Sequence, residues 1–237
     1  MQQLCLYQED LSFRTREAYK TLRSNIEFSG KNVRTITVTS CTPNEGKSEV
    51  SFELSRSFAQ NNNRVLMIDA DLRKSVMREH IRAGKVRYGL ANYLVGQCSM
   101  EDAICTTDEN GFDIILAGPA TPTPSELLNS DAFTQLLEKA RERYDYVIVD
   151  SPPLGSVIDS AIIGKKCDGT ILVLSAGTIS YRFAQTVQNQ LIKAGCRILG
   201  CVLNKVDMDG KKGYYGKYYG RYYGKYYGKY YGKYGES

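Results

Sequence analysis

Between Lys211 and Ser237 the chain contains no Leu, Ile, Val, Met or Phe. A segment without aliphatic side chains, and with glycine at about every fourth place, cannot bury a core or sustain a helix. It is expected to be a flexible, disordered C-terminal tail. The rest of the chain has absences of its own. No apolar run approaches the roughly 20 residues of a membrane helix, and the polar N-terminus does not read as a signal peptide. Membrane association is therefore expected only through a partner. The seven cysteines (Cys5, Cys41, Cys98, Cys105, Cys167, Cys196, Cys201) are odd in number and form no C-x-x-C pair. That argues against a disulfide framework and for a reducing cytoplasm, with the thiols as buried small hydrophobes or inert groups. The lone histidine, His80, lies in the charged stretch 78–82 and reads as solvated and structural, not catalytic.

What the tail does contain is tyrosine. Eleven of the 18 tyrosines fall in the last 24 residues: Tyr214, Tyr215, Tyr218, Tyr219, Tyr222, Tyr223, Tyr226, Tyr227, Tyr230, Tyr231 and Tyr234. They follow a Gly-Lys/Arg-Tyr-Tyr repeat. Residues 211–237 hold seven Lys/Arg and one Glu, a charge of +6, while the first 210 residues hold 24 basic and 25 acidic side chains, a balance of −1. The whole basic excess belongs to the tail.

The body alternates strand and helix patterns. A helix capped by Asp10 or Ser12 is expected to run to about Phe28. Strands are expected at 33–40, 64–69, 112–116, 146–150, 169–175 and 198–204. Helices are expected at 48–60, 130–144, 158–166 and 180–194, with short helical pieces at 89–96 and 100–104. This alternation predicts a mostly parallel α/β sheet with helices on both faces and a ligand site at the carboxyl ends of the strands. Three regions follow: an N-terminal helix (1–32), a nucleotide-binding domain (33–207) and the tail (208–237).

Three clusters fall at those strand ends. Ser40-Cys-Thr-Pro-Asn-Glu-Gly-Lys-Ser48 follows a strand and opens a helix, the context of a phosphate-binding loop. Backbone N–H groups at Glu45–Ser48 would cradle phosphates, Lys47 would neutralise their charge and the Ser48 hydroxyl would ligate Mg²⁺. Asp69, Asp71 and Arg73 follow the apolar strand Val65–Ile68, and Asp150 ends Val147–Val149. An apolar strand ending in Asp is how a P-loop enzyme holds the water shell of Mg²⁺. In Asn204-Lys-Val-Asp207 the pattern N-K-x-D resembles the guanine-reading loop of GTPases, while a lone Asn at this point would contact adenine. Asn204 is a base-contact candidate in either case, with ATP favoured over GTP.

Together these clusters resemble the Walker A, A′ and B motifs of the bacterial tyrosine kinases (BY-kinases), a family on the P-loop fold of MinD/ParA-type ATPases. The family's Walker A form, S-x-x-P-x-E-G-K-S, also lacks the first glycine that Cys41 replaces. The resemblance extends over essentially the whole chain. Residues 117–128 are similar to the family's proline-rich loop, and the tyrosine tail to its autophosphorylation cluster. Glu17-x-x-Lys20-x-x-Arg23 is similar to the oligomerisation motif E-x-x-R-x-x-R, with Lys20 losing the bidentate form of an arginine contact.

The resemblance implies a protein-tyrosine kinase using ATP and Mg²⁺, acting on its own tail in trans within a homo-oligomer. Other proteins are possible further substrates. Its partner would be the cytoplasmic tail of a separate membrane activator, which recruits it to the inner face of the membrane, in pathways of capsule or exopolysaccharide synthesis. Pro43, Glu45, Gly46, Lys47, Ser48, Glu49 and Asn204 form the expected nucleotide set. Ser48, Asp71 and Asp150 form the expected metal set, and Lys47, Asp69, Asp71 and Arg73 the catalytic one. A tyrosine hydroxyl is neutral at pH 7 and needs a proton acceptor, for which Asp69 and Asp71 are the candidates. Asp69 is assigned the base role, though spacing alone does not order the pair. Arg73 orients a phosphate or the Asp pair, or else forms a surface salt bridge. Lys47 is expected on the solvent side of its loop. The alternative function is a partition-type ATPase whose basic aromatic tail binds nucleic acid or an anionic surface.

Overall fold

The computed structural model describes residues 2–7 and 10–206. The tail tyrosines and Asp207 lie outside the described residues. The elements, in chain order, are β1 (Gln2–Leu6), α1 (Phe13–Phe28), β2 (Thr35–Ser40), α2 (Lys47–Ala59), β3 (Val65–Asp69), β4 (Ile81–Ala83), α3 (Leu90–Leu94), α4 (Met100–Ala103), β5 (Cys105–Thr107), β6 (Phe112–Ile115), α5 (Pro124–Asn129), α6 (Asp131–Arg143), β7 (Tyr146–Asp150), α7 (Asp159–Lys166), β8 (Gly169–Ser175), α8 (Tyr181–Lys193) and β9 (Ile198–Asn204). Among the described residues, nine strands form one sheet in the order β4-β1-β5-β6-β3-β7-β2-β8-β9. The run from β6 to β9 is parallel throughout. Only β1–β4 and β5–β6 pair antiparallel.

Side chains alternate across the central strands and build a core on each face. Val65 and Met67 of β3 and Ile148 of β7 join Ile36, Val38, Phe52, Phe58 and Phe112 under α1 and α2. Leu66, Ile68, Val147 and Val149 face the other way, onto Leu90, Phe133, Leu136 and Leu137 of α3 and α6. A smaller cluster seats α8 (Val187, Leu191) on β8 (Leu172).

Helix α2 is the central helix. Every residue in it except Glu49 is buried, so its polar groups need internal partners. Ser51 and Ser55 hydroxyls donate back to the Lys47 and Ser51 carbonyls at 2.9 and 2.7 Å, as helical serines can. Glu53 and Arg56 pair at 2.9 Å, and Arg56 reaches Glu109 at 2.7 Å.

Two findings differ from the sequence expectations, and one settles a choice the sequence left open. The short strands β1, β4 and β5 lack a periodic pattern and are held by distant pairing; Gln2 stands opposite Cys105. The Ser12 hydroxyl, not Asp10, caps α1 by accepting from Thr15 N–H at 3.1 Å. The cysteines are not uniformly buried: Cys41, Cys105 and Cys196 are, whereas Cys201 is exposed.

Phe58 is fully buried and stacks on Tyr146 with ring centroids 3.9 Å apart. Phe58→Ala is expected to cost about 3–5 kcal/mol, a transfer plus cavity penalty. Urea unfolding read as a midpoint shift at constant slope is the measurement, and a loss below about 1 kcal/mol would contradict the packing described.

Candidate functional site

The phosphate-loop segment closes on itself through Glu45, whose side chain is almost fully enclosed. Its Oε1 accepts from Thr42 N–H and, at 2.9 Å, from the Thr42 hydroxyl. Its Oε2 accepts from Ser175 N–H at 3.0 Å, which ties the loop to the end of β8. Gly46 then turns the chain into α2 with φ +86°. A Cβ there would lie 2.2 Å from Asn204 Nδ2, so only glycine serves. Gly155, after β7, is similarly confined, since its Cβ would lie 2.2 Å from the Cys41 carbonyl oxygen. The first intrahelical bond of α2 runs from Val50 N–H to Gly46 O. The N–H groups of Lys47, Ser48 and Glu49 are left at the positive end of a 13-residue helix, a ready anion site.

Strand register supplies the opposing charge. Asp69 at the end of β3 stands directly beside Asp150 at the end of β7. Asp71 follows two residues on. Lys47 Nζ lies 3.2 Å from Asp71 Oδ2 and 3.5 Å from Asp150 Oδ2. The Ser48 hydroxyl donates to Asp150 Oδ2 at 2.6 Å, and Ser51 Oγ to Asp150 Oδ1 at 3.2 Å. Asp69 accepts from the Ser75 hydroxyl, from Asp71 N–H at 3.2 Å and from Ala117 N–H at 3.4 Å.

The three carboxylates are buried, and one ammonium stands among them. Burial, with the charge of Asp150 added, pushes the Asp69 carboxyl from an ordinary 3.8 up to about 7. Burial also raises Asp150, against the pull of Lys47. For Lys47, burial works against the charged form, but Asp150 and Asp71 outweigh it and hold its pKa above the ordinary value. The excess of buried negative charge and the Ser48 hydroxyl beside Asp150 fit a divalent cation. Among the described residues no three His, Cys, Asp or Glu side chains enclose a metal by themselves.

The structure thus brings together Glu45, Gly46, Lys47, Ser48, Asp69, Asp71 and Asp150. It corrects the placement of Lys47, which is buried in the carboxylate cluster and not on the solvent side. Asn204 borders the loop, its Nδ2 donating to Glu45 O at 3.0 Å. Glu49, in the first turn of α2, faces away from the carboxylates toward His80, 3.6 Å distant. His80 stacks on Phe52 at 4.3 Å and is mostly enclosed, so it is not the solvated residue expected. The Arg73 guanidinium binds the fully buried Asp159 at 2.7 Å, while its backbone N–H donates to Asp71 Oδ1 at 3.3 Å. Of the proposed contact residues on α1, Lys20 and Glu17 pair with each other at 2.7 Å near the surface. Arg23 turns inward to the Ser57 carbonyl of α2 at 2.5 Å. Sequence reasoning missed Ser51, Ser75, Ser125, Asp159 and Lys205. Ser51 carried a signal, standing one helical turn after Lys47 on the same face, and Lys205 stood in the N-K-x-D pattern beside Asn204. Lys205 Nζ donates to Asn44 O at 2.6 Å.

A family model described as an AAA domain matches residues 33–194. The tyrosine-protein kinase CpsD of Streptococcus agalactiae is 38% identical over 208 residues, which cover 86% of this chain and 91% of that protein. The kinase domain of Escherichia coli tyrosine kinase Etk superposes with a TM-score of 0.76 at 34% identity, covering 84% of this chain and 80% of that one. MinD from Pyrococcus horikoshii, complexed with Mg-ADP, is 24% identical with a TM-score of 0.62 over 74% and 72% of the two chains, a likeness of fold.

Lys47→Met would leave buried carboxylates unpaired and is expected to cost about 3–5 kcal/mol at pH 8.5 in the nucleotide-free protein. Because the folded-state pKa of Asp69 is raised to about 7, its neutral form is the favoured one. Stability associated with it is full below about pH 4 and is lost as pH rises through 7. Without the ammonium that loss steepens, so the variant should suffer less at pH 5. Urea titrations at the two pH values make the comparison, and an equal loss at both would contradict it.

Proposed function

The chain belongs to the bacterial tyrosine-protein kinases, and on that premise we propose that it transfers the γ-phosphate of ATP to the tyrosines of its own C-terminal repeat. The observation that carries this is the conjunction of two things on one polypeptide. A P-loop helix start faces three buried carboxylates at adjacent strand ends, and eleven tyrosines stand in the last 24 residues.

The α2 N-terminus and Lys47 receive the phosphates, and Ser48, Asp71 and Asp150 would hold Mg²⁺. An ion held there would supply positive charge against the phosphates. Asp69 is the general base. Unlike Asp71 and Asp150 it is not within ion-pairing distance of Lys47, which leaves a carboxylate free to take the proton of an acceptor hydroxyl. As that proton moves to Asp69, the tyrosine oxygen bonds to the γ-phosphorus and the bond to the ADP oxygen breaks. The amides and Lys47 stabilise the charge on the transferring group, where most of the rate enhancement resides. Asn204 contacts the base.

No helix among the described residues is long and apolar enough to cross a membrane. An activator's cytoplasmic segment is the proposed membrane link, with capsule or exopolysaccharide synthesis the process served. The repeat, a segment of 27 residues from 211, spans at most roughly 90–97 Å when extended, enough to reach a neighbouring subunit assembled through α1. That reach permits transfer in trans, the proposed route.

Incubation with ATP and Mg²⁺ should add several increments of about 80 Da to the intact mass, all on tail tyrosines. Lys47→Met should abolish them, and Asp69→Asn should slow them by roughly 10²–10⁴. ATP hydrolysis without added mass would instead favour an ATPase with a binding tail.

Each phosphate adds about −1.5 to −2, so about four cancel the tail's +6. With all eleven tyrosines modified the tail carries about −10 to −16, and tails in an assembly then repel one another within a Debye length of about 8–10 Å. Light scattering should show the unmodified chain assembled and the multiply phosphorylated chain monomeric, less so at high salt. Equal masses for both forms would refute the electrostatic switch and leave the kinase reading intact.

A further inference from the structure

Beside the carboxylates lies an ion pair between an exposed arginine and a buried aspartate that phosphoryl transfer as described does not use. Asp159, the first residue of α7, has a fully enclosed side chain. Its Oδ2 accepts from Arg73 Nε at 2.7 Å and its Oδ1 from Arg73 Nη2 at 3.2 Å. The Ser125 hydroxyl of α5 donates to Asp159 Oδ1 at 2.5 Å and accepts from Arg73 Nη2 at 3.0 Å. Three residues from three segments thus close a ring of hydrogen bonds, with the planar guanidinium as the fork that fixes its orientation.

The ring is continuous with the site. The backbone N–H groups of Arg73 and Lys74 donate to Asp71 Oδ1 at 3.3 and 3.0 Å. At the end of β6, Ala117 N–H donates to Asp69 Oδ2 at 3.4 Å. The segment 118–123 between β6 and α5 is therefore tied at its start to Asp69 and, just past its end, to Arg73 and Asp159. Pro119 and Pro122 within it, and Pro124 after it, limit φ and preset its path. Pro119, Ala120, Pro122 and Thr123 are exposed.

We propose that Asp159 is a positioning residue for tyrosine transfer. By locking Arg73 against Ser125 it fixes the spacing between the Asp69–Asp71 loop and segment 118–123, the surface on which a tyrosine-bearing segment of a second copy of this chain rests while its hydroxyl meets Asp69. The inference rests on the kinase reading with Asp69 as base. A pair between a buried carboxylate and an exposed guanidinium is weak evidence for stability on its own, because desolvation of the carboxylate offsets much of the attraction. Its contribution is geometric, and displacement by an ångström in an acceptor site is enough to slow transfer about 100-fold.

The test uses the full chain with ATP and Mg²⁺, and a synthetic Gly-Lys-Tyr-Tyr repeat peptide as acceptor. Asp159→Asn and, independently, the milder Ser125→Ala should lower kcat roughly 10- to 100-fold and raise KM for the peptide. The affinity for ADP with Mg²⁺, measured by calorimetry, should stay within about twofold of wild type, which separates positioning of the acceptor from a general collapse of the site. Arg73→Lys, which keeps the charge and loses the fork, should behave like Asp159→Asn, and the double variant should be no slower than either. Should Asp159→Asn fail to fold, Ser125→Ala decides alone. An active wild type with unchanged Ser125→Ala kinetics overturns this inference and spares the kinase reading, as does a loss of ADP affinity that parallels the loss of rate. A wild type that makes no phosphotyrosine overturns both.

Discussion

The ammonium of Lys47 among Asp71, Asp150 and the nearby Asp69 is the constraint around which the site is built. Three buried carboxylates at the ends of two adjacent parallel strands would repel one another and resist ionisation. One buried lysine, carried in at the first position of α2, makes the cluster tenable, yet leaves it short of positive charge. That shortfall is the electrostatic demand that a divalent cation would meet; burial, with the charge of Asp150 added, raises the Asp69 carboxyl to about 7. The same arrangement explains why α2 is buried almost all round: the helix must bring its N-terminus to the centre of the sheet, not to the rim.

The loops around this centre are held by side chain-to-backbone bonds, not by regular structure. Glu45 ties the phosphate loop to the end of β8, and Asn204 and Lys205 tie it to the end of β9. Arg23 of α1 binds the backbone of α2. The helix proposed to meet a neighbouring subunit is thereby joined to the helix that begins with Lys47 and Ser48, and the last described strand, which leads toward the tyrosine repeat, is joined to the phosphate loop. The ends of β8 and β9 thus converge on the phosphate loop through contacts of 2.6–3.0 Å.

Much of this was legible in one dimension. The apolar runs at 65–69 and 146–150 each end in Asp, and Gly-Lys-Ser follows a strand and opens a helix, so strand, loop and helix could be assigned locally. The short strands could not. Ile81–Ala83 and Cys105–Thr107 have three residues each, too few for a period of two to register, and β1 exists because it finds β5 about a hundred residues away. Arg73 and Asp159 are 86 residues apart with nothing between them to mark the pair. His80 read as solvated because its sequence neighbours are charged; the ring it stacks on belongs to α2.

By itself the sequence determined the fold class, the phosphate loop, the strand-end carboxylates and the division between a near-neutral body and a tail of +6, because each is written in local spacing, apolar periodicity or composition. Tertiary structure alone decided that Lys47 is buried, that Asp69 stands beside Asp150, that Arg73 is bound by Asp159, and that Arg23 turns inward while Lys20 stays outside. These depend on strand register and on which helix face meets which neighbour, and register is settled by burying both faces of the sheet at once, a condition that no local stretch of sequence contains.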